Sequence, residues 1–281
     1  MTTASSTPAP PTVARSSRSR WSALGRPVRA ALPSLSLLVA LVVAWEVIVR
    51  AFDVEPFLVP APSRVWRAFL EVRGTLPEHI RTTTWESLYG LAWACVVGVV
   101  LAVLIASVPF LRKAFFPILV VSQTVPMVAL APLLLIWFGF GMTPKVIVVA
   151  LVGFFPIVIS TVDGLTGVDR EMVGLVRSMG ANRWQELRHV RIPAALPAFF
   201  AGLKIASAYA VTGAVVGEWV GGNSGLGVLI TRGQASYRVD RVFVAVALVS
   251  ILSILLFTAV QLIARLVSPW TYLDQKEGNS Q

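Results

Sequence analysis

The chain has 281 residues, of which 56% are apolar and only 14% are charged. This composition excludes an ordinary soluble domain and indicates a membrane protein that crosses the bilayer several times. The net charge of +10 is not accompanied by a basic folded face with aromatic platforms, so the sequence predicts no nucleic-acid partner.

Residues 1–31 are rich in Ser, Thr, Pro, Ala and Arg and contain no acidic residue, which predicts a disordered basic cytoplasmic tail. Six apolar segments follow, each close to the roughly 20 residues that a membrane-spanning helix needs. They are predicted at 32–52, 86–108, 114–137, 145–163, 198–220 and 242–265. We therefore expect an all-α polytopic membrane protein, with a transmembrane domain at 32–270 and a short cytoplasmic tail at 271–281.

The distribution of Lys and Arg sets the expected orientation of these spans. If the N-terminus lies inside, fifteen of the 24 Lys and Arg residues fall in or beside cytoplasmic segments. Short cytoplasmic loops are usually the richer in positive charge. Both termini and the loop at 164–197 are therefore expected in the cytoplasm, with the protein in the cell membrane.

Three prolines interrupt the third predicted span. A proline leaves a backbone carbonyl without its helical partner, which is tolerated where protein or a water-filled cavity satisfies that carbonyl. The uncharged polar residues Ser122, Gln123 and Thr124 come just before Pro126, and we place the translocation path here. The alternative is a kinked helix whose polar groups bond to neighbouring helices.

A polar, charged segment separates the fourth and fifth predicted spans. Gly180 suits the left-handed backbone that stops a helix, and Asn182 is a good N-cap for the next helix. Pro193 is predicted to end that second helix. A short helix between two turns at the membrane surface would fit a groove in another protein. The alternative is an amphipathic helix that packs on its own protein.

The fifth predicted span ends at a carboxylate that is followed by a glycine-rich segment. Glu218 is predicted to stand alone, without a paired intramembrane carboxylate. Glycine permits close backbone approach and a tight return towards the membrane. We expect Glu218, Asn223 and Gly225 to form part of an outer gate, with a plain structural turn as the alternative.

Patterns typical of catalytic, metal and nucleotide sites are absent from the sequence. It has no His/Cys/carboxylate cluster with metal-ligand spacing, no Gly-x-x-x-x-Gly-Lys-Ser/Thr loop and no Gly-x-Ser-x-Gly elbow. His79 and His189 are isolated, and the single cysteine, Cys95, cannot form an internal disulfide. We expect no metal, no cofactor and no enzymatic activity on this chain.

The segment around Gly180 resembles the cytoplasmic coupling loop of permease subunits in ATP-binding-cassette importers. That loop reads Glu-Ala-Ala, three residues, Gly, nine residues, Ile, one residue and Leu-Pro. This chain offers Gly180, Val190, Ile192 and Pro193, while Gly174-Leu175-Val176 replaces the first triplet.

From about Trp45 to Trp270 the chain is similar to permeases of the nitrate, sulfonate and taurine importer family. The matching stretches are Pro60-Ala61-Pro62-Ser63, Pro132-Leu133-Leu134-Leu135-Ile136-Trp137-Phe138-Gly139, Phe154-Phe155-Pro156 and Asn223-Ser224-Gly225-Leu226-Gly227. The stretch from Ser122 to Pro126 looks closer to the branch that imports thiamine-pyrimidine or flavin precursors.

The resemblance implies a permease dimer of identical or different chains, a pair of cytoplasmic ATP-binding subunits that hold the ATP, and an extracytoplasmic solute-binding protein. In that scheme the ATPase surface offers charges that pair with Arg183, Glu186 and Arg188, while Trp184 and Leu187 share a helix face that enters its groove. The residues assigned to ATPase coupling are Gly180, Ala181, Arg183, Trp184, Glu186, Leu187 and Pro193.

The sequence leaves the transported solute open between the sulfonate, taurine and nitrate type and a pyrimidine or flavin vitamin precursor. The main mechanistic alternative is a secondary transporter driven by an ion gradient, which would call for paired repeats and carboxylates at mid-depth. A membrane scaffold without transport is a second alternative, but it does not explain the prolines of the third span.

Overall fold

The computed structural model describes residues 25–269. The predicted tails at 1–31 and 271–281 therefore lie outside the described residues, except that residues 25–31 begin the first helix. The chain divides into two compact units, one ending at Asp53 and the other starting at Val54. In the first unit the helix starts at Gly25, earlier than the predicted start of the first span at residue 32.

The described residues are almost entirely helical. The helices are α1 (Gly25–Ala51), α2 (Pro62–Val72), α3 (Leu76–Ser107), α4 (Pro109–Ser122), α5 (Met127–Phe138), α6 (Thr143–Thr166), α7 (Arg170–Ser178), α8 (Arg183–Glu186), α9 (Ile192–Gly221), α10 (Leu226–Ala235) and α11 (Val239–Val267), with a π-helical turn at Leu187–Arg191 between α8 and α9. Five of these helices (α2, α3, α4, α6 and α9) carry a proline at their first or second position. A proline is favourable there because its missing N–H would have no helical partner in the first turn.

Among the described residues, four helical stretches are long and apolar enough to cross a membrane: Leu76–Ser107, Thr143–Thr166, Arg183–Gly221 and Val239–Val267. They overlap the predicted second, fourth, fifth and sixth spans, but α3 begins ten residues before the predicted start of the second span at residue 86. The bent pair α4 and α5 becomes a fifth candidate if it is counted as one span. The predicted total of six, which includes α1, stays a prediction.

The third predicted span is not one helix. Residues 110–122 and 127–138 form two helices that meet at an angle of 96°. Pro126 is the N-cap of α5 and has an extended backbone. Because a proline also disfavours helical geometry in the residue before it, the chain leaves the helix at Gln123 and starts a new one after Pro126.

The apolar core of the second unit lies where α3, α6, α9 and α11 meet. Small side chains, among them Ala94, Ala206 and Ala210, are fully buried there against Val149 and Ile157. Small residues let helix backbones approach closely, which is how helices associate in a membrane where lipid is as apolar as the side chains. The tight contact of α6 with α3 and α9 makes these helices the scaffold that positions the polar groups described below.

A second apolar cluster joins α2, α10 and α11, and the guanidinium group of Arg238 lies beside it. Arg238 donates to Glu71 on α2 at 2.7 Å and to Asp240 on α11 at 3.0 Å. The hydrogen bond from Arg238 holds the pKa of the Glu71 carboxyl below its ordinary value. The short helices α2 and α10 are thus attached to the end of α11.

Candidate functional site

The predicted coupling residues run from Gly180 to Pro193, and most of them lie in residues 170–191, here called the coupling segment. This segment starts with α7, and two well-formed turns follow that helix. Gly180 has φ +87°, in the left-handed region, and ends the helix before it. Asn182 caps α8: its side-chain oxygen accepts from the N–H of Gln185 at 2.8 Å, and the Gln185 side chain accepts from the N–H of Asn182 at 2.9 Å. Both local predictions, a glycine stop and an asparagine start, are confirmed.

The prediction that Pro193 ends the second helix is wrong. Residues 183–221 form one helical stretch, and Pro193 lies at the start of α9. The π-helical turn at Leu187–Arg191 comes directly before the proline, and the N–H of Ile192 bonds to the carbonyl of Leu187, five residues back. This wider turn changes the hydrogen-bond register where the proline has no N–H to donate, so the helix continues into the span.

The prediction that Glu186 pairs with another protein's charges is also wrong. Its side chain is buried, and its two carboxylate oxygens accept from Arg177 at 2.7 Å and from Arg191 at 2.6 Å. Arg191 donates in addition to the carbonyl of Leu165, at the end of α6. Glu186 therefore holds α7, α8 and the start of α9 together and is not available to a partner.

The remaining predicted coupling residues separate into exposed and sheltered ones. Trp184 is 65% exposed, and Arg183 is exposed and forms no salt bridge among the described residues. Ala181 is half-buried, while Leu187 is half-buried in the wall of a cleft and is not a free anchor. The exposed surface of the segment therefore carries one large aromatic ring beside a guanidinium group.

The predicted path residues lie at the break between α4 and α5, and only one of them lines a cleft. Gln123 borders a cleft of about 500 Å³ together with Ser160 of α6 and Tyr209 of α9. Ser122 and Thr124 instead donate to backbone carbonyls of the last turn of α4, at 2.7 and 2.8 Å. They satisfy carbonyls freed at the break within their own helix, and not by bonding to neighbouring helices as the alternative had it.

Glu218 does not stand alone. It belongs to a buried group that we call the carboxylate cluster: His79, Thr83 and Glu86 of α3, Lys145 of α6 and Glu218 of α9. The Thr83 hydroxyl donates to Glu218 at 2.6 Å, and the Lys145 ammonium donates to Glu86 at 2.6 Å. Two carboxylates and one ammonium group are thus buried at the interface of three helices.

The cluster holds the N-terminus of α10. The N–H of Gly225 donates to Nδ1 of His79 at 2.9 Å, that of Leu226 to the Thr83 hydroxyl at 2.8 Å, and that of Gly227 to Glu218 at 2.5 Å. The first N–H groups of a helix have no partner within it, so side chains of α3 and α9 supply the acceptors. The close backbone approach predicted for this glycine-rich segment is confirmed. Asn223 lies outside the cluster and is exposed.

Four members of the cluster were not predicted as site residues: His79, Thr83, Glu86 and Lys145. The sequence carries a usable signal for two of them, because Glu86 and Lys145 are charged residues that begin the predicted second and fourth spans. An ionisable group at the end of a span needs a buried partner once helices pack over it, as does an ionisable group inside a span. Among the described residues, no group of three or more His, Cys, Asp or Glu side chains is arranged to hold a metal ion.

Comparison with known proteins supplies the family context for this geometry. Residues 94–271 match the family described as the binding-protein-dependent transport system inner membrane component. The riboflavin transport system permease protein RibX of Chloroflexus aurantiacus is 37% identical over 264 residues, which cover 92% of this chain and 95% of that protein. The formylaminopyrimidine transport permease protein ThiX of Halalkalibacterium halodurans is 36% identical, with 87% and 98% covered.

A more distant relative and a solved structure extend this comparison. The taurine transport system permease protein TauC of Escherichia coli is 28% identical, with 84% of this chain and 89% of that protein covered. The inward-facing MetNI methionine ABC transporter contains a chain that superimposes with a TM-score of 0.63 at 20% identity. That match covers 70% of this chain and 98% of the other and establishes similarity of fold.

Proposed function

The chain belongs to the family of binding-protein-dependent transport system inner membrane components, and on that premise we propose how it engages its partners and what it carries. It is a multi-pass membrane permease subunit of an ATP-driven importer, in the branch that includes sulfonate, taurine and vitamin-precursor permeases. In our proposal, ATP binds to and is hydrolysed by a separate pair of cytoplasmic subunits, and a second permease copy and an extracytoplasmic solute-binding protein complete the transporter.

The exposed face of the coupling segment is the observation that carries this proposal. Trp184 extends from a helix whose start is fixed by Asn182 and whose base is fixed by the buried Glu186. A large rigid ring on a braced element is the kind of anchor that dominates binding to a groove. We propose that Trp184 and Arg183 engage the ATPase, and that the helix continuing through Pro193 transmits the movement directly to α9.

For the solute, we propose a small polar heterocycle related to riboflavin or to a pyrimidine. Two relatives that share more than a third of the aligned residues with this chain are named for riboflavin and formylaminopyrimidine transport. The cleft beside Gln123 supports this choice, because it offers the amide and the neighbouring Ser160 and Tyr209 hydroxyls among apolar side chains, without an Arg or Lys to attract an anion.

The test is uptake and ATP hydrolysis in proteoliposomes that contain the chain, its ATPase and its binding protein. Riboflavin, a hydroxymethylpyrimidine, taurine, an alkanesulfonate and nitrate are offered separately. We expect ATP-dependent accumulation of one of the two heterocycles. Accumulation of taurine, sulfonate or nitrate instead would reject the proposed solute but not the importer. Uptake that follows an ion gradient without ATPase would favour the secondary-transport alternative, for which the buried pair Glu86 and Glu218 supplies the carboxylates.

A matched pair of tryptophan variants tests the coupling role. Trp184 and Trp66 are similarly exposed, at 65% and 62%, but Trp66 lies on α2, far along the chain from the coupling segment. We expect Trp184→Ala to remain in the membrane and lose ATP-driven uptake, and Trp66→Ala to keep it. Equal uptake by both variants would remove Trp184 from the coupling interface.

A further inference from the structure

A basic cleft lies at the opposite end of α3 from the carboxylate cluster. Glu86 and Ala106 are about 30 Å apart along the helix at 1.5 Å per residue. The cleft has a volume of about 460 Å³, and its polar walls are formed by Ser107, Arg112, Arg177, Arg183, Glu186 and Arg191. Four guanidinium groups therefore face one carboxylate in a space of the size that small-molecule sites occupy.

The single carboxylate of the basic cleft is already fully engaged. Both oxygens of Glu186 accept from Nε atoms, one from Arg177 and one from Arg191. A guanidinium group has five N–H donors, so each of these arginines keeps donors that Glu186 does not use. Arg112 and Arg183 form no salt bridge among the described residues. The walls thus hold positive charge and hydrogen-bond donors in excess of the protein's own acceptors.

We propose that the basic cleft binds a phosphate group, either of a free phosphate-bearing anion or of an anionic lipid. Guanidinium groups bind phosphate oxygens bidentately and are the preferred side chains for that purpose. The position of the cleft supports this ligand class. The apolar run of α3 ends at Ser107, which lines the cleft, and Arg112 follows a few residues later on α4. Basic residues at such a boundary attract anionic headgroups.

The cleft would connect its ligand to the coupling segment. Arg112 belongs to α4, whereas Arg177 and Arg191 belong to the segment at 170–191. A phosphate group held between them would join the two elements and fix the segment against the end of α3. This assignment does not depend on which solute the protein carries.

The experiment titrates the thermal unfolding midpoint of the purified full-length chain in neutral detergent. One arm adds inorganic phosphate at constant ionic strength, with chloride as the balancing anion. The other adds phosphatidylglycerol, with phosphatidylcholine as the lipid control. We expect a saturable rise of the midpoint with phosphatidylglycerol, with phosphate or with both, because a ligand that binds only the folded state stabilises it. A rise with phosphatidylglycerol alone assigns the site to a lipid headgroup, and a rise with phosphate assigns it to a free anion.

Matched variants locate the effect in the cleft. Arg112→Gln is expected to require about tenfold more ligand for the same rise, since it loses a charge-assisted hydrogen bond. Lys113→Gln removes the same charge from the neighbouring exposed residue, which does not line the cleft, and is expected to titrate like the unaltered chain. Arg112→Lys, which keeps the charge and loses the bidentate geometry, should lie between them.

Equal weakening by Arg112→Gln and Lys113→Gln would overturn the proposal in favour of unspecific electrostatic attraction. A midpoint that neither ligand raises would overturn it too. If only added ATPase subunit raises the midpoint, the cleft receives a side chain of that subunit, and the phosphate site is rejected.

Discussion

Gly225 is the residue whose backbone allows α10 to meet the carboxylate cluster. Its φ is +130°, a conformation that residues with a side chain rarely adopt. A Cβ atom placed there would lie 2.2 Å from the carboxyl carbon of Glu218. The glycine is therefore required both by its conformation and by the space that Glu218 fills.

We predict that Gly225→Ala lowers the free energy of unfolding by about 2–4 kcal/mol, the sum of backbone strain and overpacking. It should also reduce ATP-driven uptake if α10 forms part of the outer gate, as we propose for Glu218, Asn223 and Gly225. Unfolding in detergent and uptake in proteoliposomes measure the two effects. Gly74→Ala is the control, because a Cβ at Gly74 meets no atom within 4 Å. Similar stability of both variants would contradict the packing argument.

The buried ion pair of Lys145 and Glu86 gives a second prediction about single residues. Both side chains are buried, and the Lys145 ammonium is the cation that Glu86 contacts directly. Lys145→Met leaves a buried carboxylate without its partner and is expected to cost about 3–5 kcal/mol of stability. Adding Glu86→Gln removes that uncompensated charge, so the double variant should recover part of the loss. If the two single losses simply add in the double variant, the residues are not coupled.

Among the elements, the coupling segment divides into a part that was predictable and a part that was not. The glycine stop at Gly180 and the cap at Asn182 depend on neighbouring residues only, and the sequence predicts both correctly. The burial of Glu186 depends on Arg177, on Arg191 and on the end of α6, and it follows from tertiary packing. The continuation through Pro193 requires a π-helical turn, for which the sequence carries no simple pattern.

The cap of α8 gives a prediction at the element scale. Asn182→Ala removes the acceptor for the N–H of Gln185 and should destabilise the local helix by about 1 kcal/mol. We expect faster amide hydrogen exchange in residues 183–191, with little change in α9. Asn182→Asp keeps a side-chain acceptor and serves as the control. Unchanged exchange in Asn182→Ala would show that Glu186 alone holds this turn.

The break between α4 and α5 was also predictable only in part from the sequence. Prolines and polar residues predict an interruption near Pro126, and the structure places it there. The angle of 96° accompanies different packing of the two short helices, because α4 packs on α3 whereas α5 packs on α6 and α9, and no local pattern encodes it. For the same reason the sequence placed Ser122, Gln123 and Thr124 together in a path, whereas only Gln123 lines the cleft beside α6 and α9.

For the whole molecule, the apolar segments predicted the positions of α3, α6, α9 and α11 well, because a run of about 20 apolar residues is a direct signature of a span. The carboxylate cluster was not predictable as a unit. It assembles residues from α3, α6 and α9 that are far apart in sequence, such as Thr83 and Glu218. Pairing of this kind is fixed only once the helices have packed.

The distribution of positive charge predicts the orientation of the molecule in the membrane, and the last prediction tests that orientation. Met179 and Tyr237 are almost equally exposed, at 79% and 80%, and they flank the stretch formed by α9 and α10. With the N-terminus inside, Met179 faces the cytoplasm and Tyr237 faces outward. Cys95 is the only native cysteine, so Cys95→Ala provides a background without thiols.

In that background, a membrane-impermeant thiol reagent applied to intact cells should label Tyr237→Cys and should label Met179→Cys only after permeabilisation. The opposite pattern would reverse the orientation and would place the coupling segment on the wrong side for a cytoplasmic ATPase. Labelling of both variants from outside would mean that the stretch Arg183–Gly221 does not cross the membrane. Because the two positions match in exposure, a difference in labelling reports the side of the membrane and not the accessibility of the residue within the fold.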